Sequence, residues 1–179
     1  GNRDGDKLMS AIKNRLTRSN VGPEAKKDKL LSEFAILQTS FRLNEVNDTL
    51  GKTPLKFYTE FLNEHVFKNI KYQKTSEDFI GRFYGEFMSY SGGDGQTLGI
   101  ILTPRHITDL MCELVNIQVD DVVLDPTCGT AGFLISAMHR MLSMADSESK
   151  RRNIKKKQLH GFELQSNMFA VAAANMILR

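Results

Sequence analysis

The chain has 179 residues, 41% of them hydrophobic and 25% charged, with a formal net charge of +3. That balance supports the core of one ordinary domain, or of a small domain and part of another. The sequence excludes a bilayer span, since no apolar stretch approaches the roughly 20 residues one requires. Six positive charges fall in KRRNIKKK (residues 150–157); taking these six from +3 leaves −3, so the basicity is local and the chain is no general nucleic-acid coat. Two cysteines, Cys112 and Cys128, sit in unlike surroundings with no CxxC and no paired histidines, against a disulfide framework or a zinc site. The opening GNRDGDKLMS carries no secretory pattern and reads as cytoplasmic; lacking Met, it also reads as a boundary within a longer or processed chain.

In chain order, residues 1–90 predict helices. LLSEFAILQTSF places Leu30, Leu31, Phe34, Ile36, Leu37 and Phe41 in one helical stripe, ended by the Gly51–Pro54 region. LKFYTEFLNEHVF predicts a second helix with Leu55, Tyr58, Phe61, Leu62, Val66 and Phe67 inward. DFIGRFYGEFMSY predicts a third, with Phe79, Ile80, Phe83, Tyr84, Phe87 and Met88 at spacings of three and four and Ser76 before it as a cap. SGGDGQ then marks a break.

Beyond the break the pattern changes. Thr103-Pro104 signals a helix start, and Ile107, Leu110, Met111, Leu114 and Val115 form its apolar face. VVL (122–124) reads as a short apolar strand. A helix over about 132–143 carries Phe133, Leu134, Ala137, Met138, Met141 and Leu142. LHGFEL (159–164) reads as a second strand, and Ser166 caps a last helix with Phe169, Ala172, Ala173, Met176 and Ile177. Helix–strand–helix–strand–helix predicts a parallel sheet of α/β type, of which only the first part is present.

The turn DPTCGTAG follows the first strand, and in open α/β sheets ligands bind beyond the carboxyl ends of strands. Gly129 and Gly132 permit a sharp turn and close approach, but the spacing is G-x-x-G, not the dinucleotide G-x-G-x-x-G, and there is no P-loop lysine. Asp125 at the strand tip decides between ligands. Like charges about 4 Å apart repel by roughly 4 kcal/mol at an effective dielectric near 20, so a pyrophosphate is disfavoured and a cation attracted. The second strand ends in Glu163, suited to accept hydrogen bonds from both ribose hydroxyls. A nucleoside with a cationic amino-acid tail and no phosphate, such as S-adenosyl-L-methionine, satisfies both carboxylates.

LTPRHITDLM, VVLDPTCGTAGFL and HGFELQSNMFAVAAANMIL, in that order, resemble the amino-terminal motifs of adenine-specific DNA methyltransferases. The likeness is strongest to the modification subunit of type I restriction–modification systems. DFIGRFYGEF is similar to that family's linker helix. The resemblance covers about residues 76–179; residues 1–75 match only as a helical domain in the right place. It implies an α/β fold with an all-α N-terminal domain: a helical bundle over 1–98, then over 99–179 the first strands and helices of a Rossmann-like methyltransferase sheet. Leu102, Thr103, Pro104 and Arg105 match the segment lying along the cofactor. Asp125, Gly129, Thr130, Ala131 and Gly132 match the turn around its methionine moiety, and Glu163 matches the ribose binder. Ala131 stands where many members have Gly, and Ile100, Ile101 and Leu102 replace a stretch that elsewhere contains an aromatic.

The implied activity is methylation of the N6 amino group of adenine, with S-adenosyl-L-methionine as donor. The implied partners are DNA, a specificity subunit, a restriction subunit and a second modification subunit, with no membrane and no metal. The family's N-P-P-[YF] loop, which holds a flipped base, is absent: Pro23, Pro54, Pro104 and Pro126 are neither adjacent to one another nor preceded by Asn. The expectation is an N-terminal fragment holding part of a cofactor pocket, with no catalytic residue and no methyl transfer by itself. Two other classes stay open: a helical interaction module over 1–98 with a non-catalytic scaffold, and a methyltransferase acting on RNA or protein. KRRNIKKK reads as a solvated loop or a contact to DNA phosphates, with 145–158 expected to be mobile. Cys128 reads as a small packed side chain rather than a nucleophile, and His106 as a surface residue.

Overall fold

Residues 3–18, 22–69, 80–83, 86 and 102–179 are described in the computed structural model, and the chain divides by contact into two units, 1–70 and 71–179. In the first unit the helices are α1 (Asp4–Arg18), α2 (Glu24–Glu33), α3 (Ile36–Thr39), α4 (Phe41–Asn44) and α5 (Pro54–His65), followed by a 3-10 turn over Phe67–Asn69. α1 has Asp4 and Asp6 in its first turn and Arg15 and Arg18 in its last, matching the helix dipole at both ends.

The single helix expected over 30–41 is broken into three. Asn44 shows why the break is tolerated: its Nδ2 donates to the carbonyls of Leu37 (2.8 Å) and Ser40 (2.9 Å), and its Oδ1 accepts from the Gly5 amide (2.8 Å). One side chain thus takes up the backbone groups that the interrupted helix leaves over and ties them to α1. Met9, Leu16, Leu30 and Leu55 are buried, whereas Ile36 and Phe41 of the expected stripe are 60% and 69% exposed. α5 starts where Thr53-Pro54 predicts. The Thr53 hydroxyl accepts from the Lys56 amide (3.1 Å) and donates to Asp4 Oδ2 (2.7 Å), which holds the Asp4 carboxyl below its ordinary value. Leu55 is inward as expected, but Tyr58 and Phe61 are exposed. Phe61 stacks on Phe57 and meets the His65 ring at a tilt, in a row along the helix surface.

Residues 80–83 and 86 are helical. The rest of the helix expected over 79–90, including Phe79, Tyr84, Phe87 and Met88, lies outside the described residues, as do its cap Ser76 and the SGGDGQ break.

The second unit contains α6 (Arg105–Leu114), β1 (Val123–Asp125), α7 (Gly132–Met144), α8 (Glu148–Asn153), a π-helix (Ile154–Gln158), β2 (Leu159–Gly161) and α9 (Ser166–Leu178). β1 and β2 pair in parallel, with Val123, Leu124 and Asp125 opposite Leu159, His160 and Gly161. Two further bonds carry the ladder past the strands: the Phe162 amide to the Asp125 carbonyl and the Cys128 amide to the Phe162 carbonyl, both 2.9 Å. α7 is the hub of the core. Its Ala137, Met138 and Met141 pack with Cys112, Ile117, Ala145 and Ile154, and its Leu134 packs with Ala131 and Ala172.

α6 differs from its sequence reading. Ile107, Leu110, Met111, Leu114 and Val115, the apolar face, are exposed, Leu114 at 75% and Val115 at 70%. The buried residues are Thr108 and Cys112. The Thr108 and Ser136 hydroxyls lie 2.7 Å apart, and Thr108 also donates to the Arg105 carbonyl (2.9 Å). Small, mutually bonded hydroxyls let two helices approach closely, so here polar satisfaction orients the helix rather than bulk hydrophobicity. The helix begins after Pro104, with no side-chain cap.

The basic run is also different. The segment expected to be mobile is helical through α8 and the π-helix, capped by Ser147, whose hydroxyl accepts from the Lys150 amide. Ile154 and Gln158 are buried, and Gln158 Nε2 donates to the carbonyls of Val119 (2.9 Å) and Asp121 (2.8 Å), pinning the run to the loop that enters β1.

A candidate cofactor site at the glycine turn

The site is built where two parallel strands end side by side. Asp125 closes β1, and its Oδ1 accepts from the Thr127 amide (3.1 Å), which starts the turn. The turn then needs two residues in the left-handed region: Gly129 (φ 53°) and Ala131 (φ 72°). At Gly129 a Cβ would meet nothing within 4 Å, so the backbone there borders open space. At Ala131, which is 1% exposed and packs with Leu134 and Ala172, burial of the methyl group offsets left-handed strain of about 1 kcal/mol. The Ala131 amide donates to the Cys128 carbonyl (2.7 Å), and α7 departs from Gly132.

Glu163 joins the second strand end to this turn. Its Oε2 accepts from the Gly129 amide (3.0 Å) and its Oε1 from the Gln165 amide (2.7 Å). Both oxygens are therefore held by backbone donors, one of them in the glycine turn, 34 residues away in sequence. Each carboxylate oxygen still has a lone pair to offer a ligand. Asp125, Gly129, Thr130, Ala131, Gly132 and Glu163 are thus brought together. Leu102 is half-buried, and Thr103, Pro104 and Arg105 are exposed. Arg105 pairs with Asp109 (3.0 Å), and among the described residues no hydrogen bond links Leu102–Arg105 to the turn; α6 meets α7 through Thr108 and Ser136.

Two residues that matter here have no assigned role in the sequence reading. Gly161 ends β2, and a Cβ there would come within 2.9 Å of Cys128 Sγ and Leu134 Cδ1. A glycine inside a strand pattern is the available signal of such a close approach. Cys128 is accordingly a packed side chain against β2. Asn175, fully buried on α9, donates from Nδ2 to the Thr130 carbonyl (2.9 Å) and so braces the turn from behind. Its signal is a lone amide in the apolar run AVAAANMIL. His160 Nε2 lies 3.0 Å from the Lys157 carbonyl, outside the site, and His106 is exposed. Among the described residues no group of three or more His, Cys, Asp or Glu could hold a metal ion, and no helix is long and apolar enough to cross a membrane.

Comparison with known proteins gives a consistent set. The family model described as N-6 DNA Methylase matches residues 75–179. The Type II restriction enzyme and methyltransferase RM.BcgI of Heyndrickxia coagulans is 46% identical over 179 residues, all of this chain and 28% of that protein. The Type I restriction enzyme MjaIX methylase subunit of Methanocaldococcus jannaschii is 25% identical over 125 residues, 68% of this chain and 21% of that protein. This chain therefore spans under a third of the length of either relative. Among solved structures, a modification subunit assigned to a type I restriction enzyme from Vibrio vulnificus YJ016 superposes with a TM-score of 0.56 at 23% identity. That match covers 86% of this chain and 29% of the other, and is a likeness of fold.

Proposed function

Because the chain belongs to the N-6 DNA methylase family, matched over residues 75–179, we propose that its parent protein methylates the exocyclic amino nitrogen of adenine in DNA, with S-adenosyl-L-methionine as donor. The observation that carries the donor's identity is the bond between the Gly129 amide and Glu163, beside Asp125 at the neighbouring strand end. The residues fit the group. Open space at Gly129 admits a ligand against bare backbone, Asp125 attracts its cationic methionine end, and the remaining lone pairs of Glu163 suit ribose hydroxyls. The donor supplies an electrophilic methyl carbon; this chain's residues bind and orient the donor, and no N-P-P-[YF] loop occurs in the sequence to hold the acceptor.

In this reading residues 1–98 form a helical domain and 99–179 the first part of a Rossmann-like sheet, with Leu102–Arg105 lying along the cofactor. This chain alone transfers no methyl groups. The parent acts in the cytoplasm with DNA, a specificity subunit and a second modification subunit. The name of the 46%-identical relative, restriction enzyme and methyltransferase, favours restriction carried on the same polypeptide over a separate restriction subunit. Calorimetry on the full-length parent is expected to show S-adenosyl-L-methionine binding that Asp125→Ala weakens, together with lost DNA methylation. No binding by the parent, with full activity in the Asp125 variant, would sink the reading.

A further inference from the structure

The six cations of the basic run divide into two groups. Lys150 pairs with Asp146 (3.2 Å), and Arg151 pairs with Glu148 (3.8 Å) while reaching the Ala145 carbonyl at the end of α7 (3.4 Å). The Lys155 ammonium donates to the Arg179 carbonyl. These three are taken up by backbone carbonyls and neighbouring carboxylates, which is an ordinary structural use of such charges. Arg152, Lys156 and Lys157 are exposed, and among the described residues none makes an ion pair or hydrogen bond through its side chain. They line one shallow cleft with Ser149, Lys150 and Asn153. The backbone beneath is held: Ile154 is 0% and Gln158 5% exposed, and Gln158 and Asn153 bond to each other (3.2 Å). Like charges four apart on a helical stretch, here Arg152 and Lys156, destabilise by only about 0.2–0.5 kcal/mol, a cost that a bound anion would relieve.

We propose that Arg152, Lys156 and Lys157 form a phosphate-binding surface for the DNA backbone. The choice of DNA over an acidic protein rests on the reading of the parent as a DNA methyltransferase. The surface lies outside the candidate cofactor site. β1 and β2 are parallel, and the basic run leads directly into the start of β2 and bonds to the loop entering β1. The glycine turn and Glu163 lie at the other end of both strands. Phosphates bound at the basic run therefore belong to DNA away from the reacting base, and add affinity without sequence preference.

The test uses the full-length parent carrying Arg152→Gln, Lys156→Gln and Lys157→Gln together. Fluorescence anisotropy with a duplex lacking any target site, across a salt series, reads the slope of log K against log salt. Each lost phosphate contact removes about 0.9 from that slope, so a decrease of about 2 to 3 is expected, with kcat at saturating DNA and the Kd for S-adenosyl-L-methionine unchanged. An equal charge removal at exposed Lys13, Arg15 and Arg18 serves as control and is expected to leave the slope within 1 of wild type. A wild-type slope in the triple variant, or an equal fall in the control, overturns the proposal. So does a wild-type slope accompanied by lost binding to polyglutamate, which assigns the surface to an acidic protein. The methyltransferase reading is judged separately, by cofactor binding and methyl transfer in the unmutated parent.

Discussion

At Glu163 one carboxylate has two backbone donors, Gly129 and Gln165, and the proposed ribose contact uses what remains. Glu163→Gln keeps the shape but substitutes an NH2 for one acceptor and removes the charge. Losing one charge-assisted hydrogen bond of about 1.5–3 kcal/mol predicts roughly ten- to hundredfold weaker S-adenosyl-L-methionine binding by the parent in calorimetry. Gly161 is a matter of space. Gly161→Ala brings a methyl against Cys128 and Leu134, and overpacking of this kind costs about 1–3 kcal/mol; adding Cys128→Ala should recover part of the loss in urea unfolding. His139 on α7 is half-buried, and that burial, followed by Arg179 and Arg105, pushes its imidazole below the ordinary value near 6.5, with Asp109 opposing. Between 6.5 and the lower folded value the unfolded chain binds more protons, so stability is lost as pH falls through that window and retained above it. His139→Gln should flatten this part of a Tm-against-pH curve; an unchanged curve would remove His139 as its cause.

Single elements here are set by polar groups as much as by apolar stripes. α5 begins at Thr53-Pro54, and its capping hydroxyl also holds Asp4 of α1. Thr53→Ala removes both bonds and predicts a loss of about 1–2 kcal/mol in unfolding free energy, measured by denaturant titration. α7 is legible because Leu134, Ala137, Met138 and Met141 recur at helical spacing and the helix buries them against neighbours on more than one side. α6 was legible as a helix but its facing was not, since Thr108 and Ser136 found each other and turned the larger residues outward. The helical course of the basic run is hidden in the sequence for a related reason: periodicity counts only Ile154 as apolar, and nothing local announces that buried Gln158 will bond two carbonyls near β1.

Across the second unit, large apolar residues stand exposed on α6 and around the strands, including Leu124 (58%), Phe162 (66%) and Leu164 (98%). Such surface does not stabilise this chain as it stands. Leu114→Gln with Val115→Thr should therefore shift its stability by no more than about 0.5 kcal/mol while reducing concentration-dependent association in sedimentation velocity. A loss of several degrees in Tm would instead show that this face is packed within the chain.

The sequence by itself determined the two strands of the second unit, to within a few residues at their ends, the helices around them, and the carboxylates that stand near those ends. Hydrophobic period, glycine spacing and carboxylates at Asp125 and Glu163 are local properties, readable one segment at a time. Only the tertiary structure decided that Glu163 grips Gly129, that Gly161 must lack a side chain, and that Asn175 braces Thr130. Each of these depends on residues far apart in the chain whose distance is set by packing around α7. A hydrogen bond or a steric gap has no periodicity to betray it before the chain is folded.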